Sequence, residues 1–325
     1  MADRGGTIPQ RKFGKHDVTI SALGLGGHHL GEAKSYGEAE RIVHGAVDGG
    51  ITFFDNCWEY HEGRSEDWMG RALKGRRDKV FLMTKACSHG RDKKLALRML
   101  DESLRRLQTD HLDLWQLHGV GFDNEPEEHF LKDRDAEALL EARQQGKVRF
   151  VGFTGHKSPQ VHLAMLQSGF PFDSVQMPLN PFDSQYRSFA QTVLPEAQKR
   201  GVAVLGMKPL GGTGDAIKKG IVTAEELLRY AMSLPVACTI TGFDKPSVLE
   251  QNLKIAQGFE PMTEAELEAV RAKCKATAAD GRFELYKMGL KYDNPEARLA
   301  HGYPVDQQQK EIKERLDVSN KEEPH

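Results

Sequence analysis

The chain has 325 residues, with 45 Lys and Arg against 47 Asp and Glu and a net charge of −2. That balance gives no basic field for nucleic acid and no acidic solvating tail, so no nucleic-acid partner is expected. Hydrophobic residues make up 39% and charged residues 28%, ordinary for a soluble globular enzyme. No run approaches the roughly 18 apolar residues of a membrane span, so no membrane partner is expected either.

The start of the chain, MADRGGTIPQRKFGKHD, lacks the apolar stretch of a secretory signal. Four cysteines, Cys57, Cys87, Cys238 and Cys274, lie far apart with no CxxC. They read as reduced thiols of a cytoplasmic protein, with no disulfide framework, iron–sulfur cluster or metal site legible. Residues 12–18 and 19–23 are expected to pair as a hairpin around Lys15-His16-Asp17. Beyond them the chain alternates. Short β-branched or apolar runs at 23–26, 51–55, 80–85, 112–118, 148–154, 174–177, 203–207 and 237–241 predict strands. Amphipathic stretches at 36–48, 65–73, 95–107, 136–145, 159–167, 186–200 and 223–232 predict the helices between them. Ser65 reads as an N-cap, and Gly49-Gly50 and Gly146 as helix stops.

Eight strand–helix units predict a parallel α/β sheet, and eight is the number that closes into a (β/α)8 TIM barrel. An open doubly wound sheet is the alternative. Against it, Gly24-Leu25-Gly26-Gly27-His28-His29 has His29 where the third glycine of a dinucleotide fingerprint belongs. After residues 250–255 the alternation ends. A helix is expected at 263–276, then an irregular apolar segment at 282–304 and a charged end at 306–325. We therefore expect one domain: an N-terminal hairpin at about 12–23, a barrel at about 23–257 and a C-terminal extension at about 263–325. The apolar segment is expected to fold over the barrel mouth, with packing on the outer helices as the alternative.

Working residues of such barrels sit at the C-terminal ends of strands and in the following loops. Those positions hold Asp55, Lys85 and His118, with Tyr60 in the loop after Asp55. Singly, each has a plain explanation: a turn aspartate, a solvated lysine, a core histidine, a structural tyrosine. Jointly they place an acid, a cation, an imidazole and a phenol on one rim. A phenol with a pKa of about 10 is a weak acid at neutral pH. A nearby ammonium is expected to lower that value, an aspartate to hold the ammonium, and a neutral imidazole to donate to a carbonyl. Cys57 and His61 bracket Tyr60, but two ligands make no metal site. His28 and His29 either border the substrate or are solvated turn residues, and Trp58 is placed to narrow the pocket.

The stretch Phe54-Asp55-Asn56-Cys57-Trp58-Glu59-Tyr60 with Gly63-Arg64-Ser65-Glu66 resembles the aldo-keto reductase signature. So do Phe81-Leu82-Met83-Thr84-Lys85 and the run from Leu104 through Asp110 to His118, and the similarity spans about residues 12–255. The resemblance implies a catalytic tetrad of Asp55, Tyr60, Lys85 and His118. It implies reduction of a small-molecule aldehyde or ketone by hydride from a nicotinamide cofactor, with tyrosine as general acid. It places the nicotinamide against Thr154 and Gln176, although Gly155 stands where the family often has Asn. Met207 stands where the family has a stacking aromatic, and Pro209, Leu210 and Gly211 fit the loop crossing the pyrophosphate. Gly242, Phe243, Lys245, Gln251 and Asn252 are similar to the family's adenosine-phosphate pocket. Lys245 is the partner for a ribose 2′-phosphate, which favours NADP, with NAD as the alternative. Two other functions compete: a nucleotide-sensing regulatory subunit on the same fold, and a barrel hydrolase pairing Asp55 with Glu59 or Glu66. The complete tetrad favours the enzyme, although such subunits can retain it, and the hydrolase reading gives no reason for the Lys–Tyr–His set. Substrate choice is expected to lie in the loops at 119–131 and 282–304.

Overall fold

The computed structural model describes residues 6–87 and 92–288. The predicted segment at 282–304 is therefore described only through Met288, and the charged end at 306–325 lies outside the described residues. The strands are β1 Gln10–Lys12, β2 Thr19–Ser21, β3 Leu23–Gly26, β4 Phe53–Asp55, β5 Phe81–Ala86, β6 Leu112–Leu117, β7 Val148–Thr154, β8 Ser174–Pro178, β9 Ala203–Met207 and β10 Cys238–Gly242. All neighbours from β3 to β10 pair in parallel, and β10 closes on β3 in the order β10-β3-β4-β5-β6-β7-β8-β9. This is the (β/α)8 TIM barrel, not the open sheet.

Side-chain alternation along each strand sorts the core into two layers. Phe54, Leu82, Trp115 and Val175 face the helices. Phe53, Phe81, Met83, Leu114, Ala203 and Leu205 fill the lumen. The hairpin β1–β2 plugs the N-terminal end. Its strands are shorter than expected because the chain leaves the ladder to insert Phe13, whose ring lies 5.0 Å from Phe81 and 5.1 Å from Phe150.

Helices Tyr36–Asp48 and Pro159–Gln167 lie where the periodicity put them, each with a serine accepting from the N3 amide. Two expectations need correction. Ser65 is not an N-cap: the helix Arg64–Ala72 begins after Gly63, and the buried Ser65 hydroxyl donates to Gly27 O at 2.6 Å. The helix expected at 186–200 is broken into a 3-10 turn Asp183–Gln185 and short helices Phe189–Thr192 and Leu194–Lys199. Buried Asp183 captures the Phe189 and Ala190 amides at 2.9 Å each, and Pro195 has no N–H for the preceding turn.

The described part of the extension lies on the C-terminal rim. Gly212 N–H donates to Phe283 O, Asn180 donates to the Tyr286 hydroxyl at 3.0 Å, and buried Lys287 pairs with Asp183 at 2.7 Å. Residues 282–288 thus cover the loops that follow β8 and β9. No helix of the described residues is long and apolar enough to cross a membrane.

Candidate active site

The lumen series continues upward into polar residues. On β4, Phe53 is followed two residues later by Asp55; on β5, Phe81 and Met83 lead to Lys85; on β6, Leu114 leads to Gln116 and then His118. Each strand therefore delivers a polar side chain to the C-terminal mouth by period-2 alternation alone. Lys85 is 1% exposed and Asp55 3%. The Lys85 ammonium lies 2.8 Å from the Asp55 carboxylate, donates to Asn56 O at 2.7 Å, and reaches the Tyr60 hydroxyl at 3.3 Å. All three of its hydrogens have partners. Gln176, in the middle of β8, donates at 3.0 Å to the Asp55 Oδ2 that Lys85 also meets.

Tyr60 is aimed by an unusual turn. His61 and Glu62 both adopt left-handed backbone angles (φ 52° and 58°), and Gly63 follows at φ 85°. Two consecutive non-glycine residues in that region cost roughly 1–2 kcal/mol each, so surrounding contacts must hold them. Arg106 does so: it donates to Trp58 O at 2.9 Å and pairs with fully buried Glu66 at 3.2 Å. Glu66 also accepts from Thr84 at 2.6 Å, leaving it committed to structure, with burial raising its pKa. The Trp58 indole donates to Glu102 on the helix Lys93–Leu107 at 2.8 Å.

Tyr60 and His118 rings meet edge to face at 5.9 Å, and His28 packs on the other side of Tyr60 at 5.2 Å. His28 thus borders the site. Two electrostatic expectations are overturned. Burial, then Asp55, Cys57 and Glu59, push the Tyr60 phenol well above its ordinary value. The phenol therefore holds its proton firmly. His118 is not neutral: burial opposes its charge, but Cys57 and Glu59 raise it to about 10. Its Nδ1 lies 3.0 Å from Glu59, and the two thiols Cys57 and Cys87 stand 3.3 and 3.2 Å from the same nitrogen. Neither Cys87 nor Glu59 was singled out as a partner from sequence. The signal was present, since β4, β5 and β6 are neighbours and each is followed within two residues by Cys57, Cys87 and His118. His61 lies apart from Cys57 and groups with His28 and Glu32.

The residues assigned to a cofactor line the other arc of the rim. Thr154, which ends β7, and Gln176, in the middle of β8, are buried in matched register. Gly155 has a local reason: a Cβ there would lie 2.0 Å from Val120 O, because Val120 N–H donates to Thr154 O at 2.9 Å. Met207 ends β9, and Pro209, Leu210 and Gly211 follow it after Lys208, which sits at φ 52°. Burial, then Lys85, lowers the Lys208 ammonium to about 8. Gly242 ends β10, Phe243 is buried, and Lys245 stands exposed at the N-cap of helix Pro246–Ala256. On that helix Gln251 is exposed and Asn252 buried. Two buried polar atoms in this arc lack a protein partner, Gln176 Oε1 and Asn252 Nδ2.

A closed parallel barrel with a buried Lys–Asp pair against a tyrosine hydroxyl at its C-terminal mouth defines a class, the barrel oxidoreductases. Residues 22–219 match the model of the Aldo/keto reductase family, and the chain belongs to that family. It is 28% identical over 307 residues to the Bacillus subtilis oxidoreductase YqkF, covering 82% of this chain and 96% of that protein. It is also 28% identical over 264 residues to the methylglyoxal reductase YeaE of Escherichia coli, covering 74% and 89%. Among solved structures, the holo form of aldo-keto reductase AKR11C1 from Bacillus halodurans superposes with a TM-score of 0.71 at 25% identity. That match covers 85% of this chain and 100% of that one.

Proposed function

We propose that the chain reduces a small aldehyde or ketone with a nicotinamide cofactor, NADP in preference to NAD, and that Asp55, Tyr60, Lys85 and His118 are the catalytic residues. The observation that carries this reading is the Lys85 ammonium, held by Asp55 at 2.8 Å and within 3.3 Å of the Tyr60 hydroxyl. The residues present fit the cofactor. Gln176 Oε1 and Asn252 Nδ2 are buried without protein partners, at positions suited to the amide of a nicotinamide and the edge of an adenine. Thr154, Met207, Pro209, Leu210 and Gly211 would hold the nicotinamide and pyrophosphate portions, and Gly242, Phe243, Lys245 and Gln251 the adenosine portion. When bound, the reduced nicotinamide supplies hydride to the carbonyl carbon.

The chain's own groups manage the proton. Tyr60 remains protonated at neutral pH and gives that proton to the carbonyl oxygen as negative charge develops there. Lys85 stabilises the phenolate left behind, so its attraction grows along the reaction instead of weakening the ground-state phenol. Asp55 keeps Lys85 in place. His118, charged through Glu59, donates from its free ring edge to the same oxygen. The resemblance to YeaE makes 2-oxoaldehydes such as methylglyoxal the first substrates to try. The test is loss of reduced-nicotinamide absorbance with a panel of small carbonyls. Turnover with NADPH that vanishes in Tyr60→Phe upholds the reading. Tight NADPH binding with no turnover on any carbonyl would instead favour the nucleotide-sensing role.

A further inference from the structure

The thiol pair beside His118 has no part in the reduction just described, and it does not act alone. Cys57 Sγ lies 3.4 Å from Cys87 Sγ, and both face the Nδ1 of His118, which also meets Glu59 Oε1. One ligand atom from each of the four residues falls within 4.8 Å of every other. We propose that Cys57, Glu59, Cys87 and His118 bind one zinc ion at the edge of the active site.

The donor set argues for this metal. Two sulfurs, an imidazole and a carboxylate suit zinc, whereas calcium and magnesium take oxygen ligands. Bonds of roughly 2.3 Å to sulfur and 2.0–2.2 Å to nitrogen and oxygen make tetrahedral edges of about 3.3–3.8 Å. Four of the six edges are 3.4, 3.3, 3.2 and 3.0 Å, within a few tenths of an ångström of those values, and the two from Glu59 to the thiols lie within 4.8 Å. Both cysteines are fully buried, while Glu59 and His118 keep 14% and 18% side-chain exposure toward the mouth, which gives an ion a way in. The site also has an outer support: Asn56 Oδ1 accepts from the Cys57 amide at 2.9 Å, fixing the loop that carries the first ligand.

Binding displaces the protons of both thiols and the one on Nδ1, leaving a neutral imidazole whose remaining proton must sit on Nε2. Cys57, Cys87 and Glu59 would then be positioning residues that fix the tautomer of His118. That consequence rests on the reductase reading; the metal site does not.

The full-length protein, reduced with a non-thiol phosphine, is titrated with cobalt(II) as a visible probe. We expect one equivalent to give the strong ligand-field absorption of a tetrahedral ion together with a thiolate-to-cobalt charge-transfer band, and zinc(II) to bleach both. Cys57→Ser and Cys87→Ser should each weaken binding by at least about 100-fold, more than the 10–100-fold typical of an outer partner. A weak octahedral spectrum, or one unchanged in both variants, overturns the proposal. Should the variants fail to fold, X-ray absorption on zinc-loaded wild type decides: two sulfurs and two lighter ligands uphold it, and a shell of nitrogen and oxygen alone refutes it. Thiol counting that finds a Cys57–Cys87 disulfide and no metal uptake after reduction also refutes it. NADPH oxidation, measured separately, distinguishes failure of this site from failure of the reductase reading.

Discussion

At Tyr60 three influences compete over one proton: burial and neighbouring anions hold it, while Lys85 favours its departure. Removing the hydroxyl should therefore remove the acid and little else. Tyr60→Phe is expected to lower kcat by about 10²–10⁴-fold, the usual worth of a positioned general acid, with the NADPH dissociation constant unchanged by fluorescence titration. Lys85→Met has a second effect, because it strands Asp55 as an unpaired charge in a site only 3% exposed. Breaking such a pair costs roughly 3–5 kcal/mol, to be read as a lower denaturant midpoint alongside the loss of rate; equal stability would mean that Asp55 takes up a proton instead. His162 offers a pH test. Its ring is fully buried between Phe153 and Phe189, and burial lowers its pKa to about 4. A depressed histidine contributes stability that is present above its unfolded value near 6.5 and is lost as pH falls toward 4. Linkage sets the effect at about 3 kcal/mol. Chemical denaturation at pH 4 and 7 should show it, and His162→Phe should remove most of the difference.

The element that aims Tyr60 is the left-handed turn His61-Glu62-Gly63. Gly63 is required twice over: its φ is 85°, and a Cβ would meet the Arg106 guanidinium at 2.4 Å. Gly63→Ala should displace Arg106 from Trp58 O and Glu66, lowering thermal stability by more than about 1 kcal/mol and activity with it. Unchanged melting and kinetics would show that the turn relaxes without consequence. At this scale the sequence was most readable where a strand is buried on both faces. The run at 203–207 matches β9 residue for residue, because a strand buried on both faces reads as a continuous apolar stretch, and the run at 148–154 matches β7 although Arg149 in it is exposed. It was least readable where a tertiary contact competes with local preference. The expected helix at 186–200 fails because Asp183, outside the periodic stretch, takes two of its amides. Ser65 looked like a cap because it precedes acidic residues, yet its hydroxyl serves Gly27 across the barrel mouth.

Across the whole molecule, Asp55, Tyr60, Lys85 and His118 were legible because strand-end position and family resemblance pointed to the same residues. The group at Nδ1 of His118 was not, because Cys57, Cys87 and Glu59 follow two different strands and no local spacing links them to His118. Of the segment expected to cover the mouth only residues 282–288 are described: Tyr286 lies at the rim against Asn180 and His156, while Phe283 packs with Leu227, Cys274 and Ala278 of the outer helices. The buried Lys287–Asp183–Glu284 cluster was missed, and truncation after Gly281 would remove Lys287 and leave Asp183 an unpaired buried charge. Cofactor choice is tested from the opposite arc. Lys245→Ala should weaken NADPH binding by about 1–3 kcal/mol, as for a charge-assisted hydrogen bond, and leave NADH nearly unaffected; equal losses would assign Lys245 to the loop alone.

The order of strands around the barrel is the order of strands along the chain. Residues 55–118 therefore occupy one stretch of the chain, and 154–252 another, with the helix Asp135–Gln144 lying between them. A single crossover in that intervening stretch exchanges one working arc for a relative's without cutting either. On the assignment proposed above, proton handling and cofactor preference then fall in separate stretches of chain, and relatives can exchange one while keeping the other.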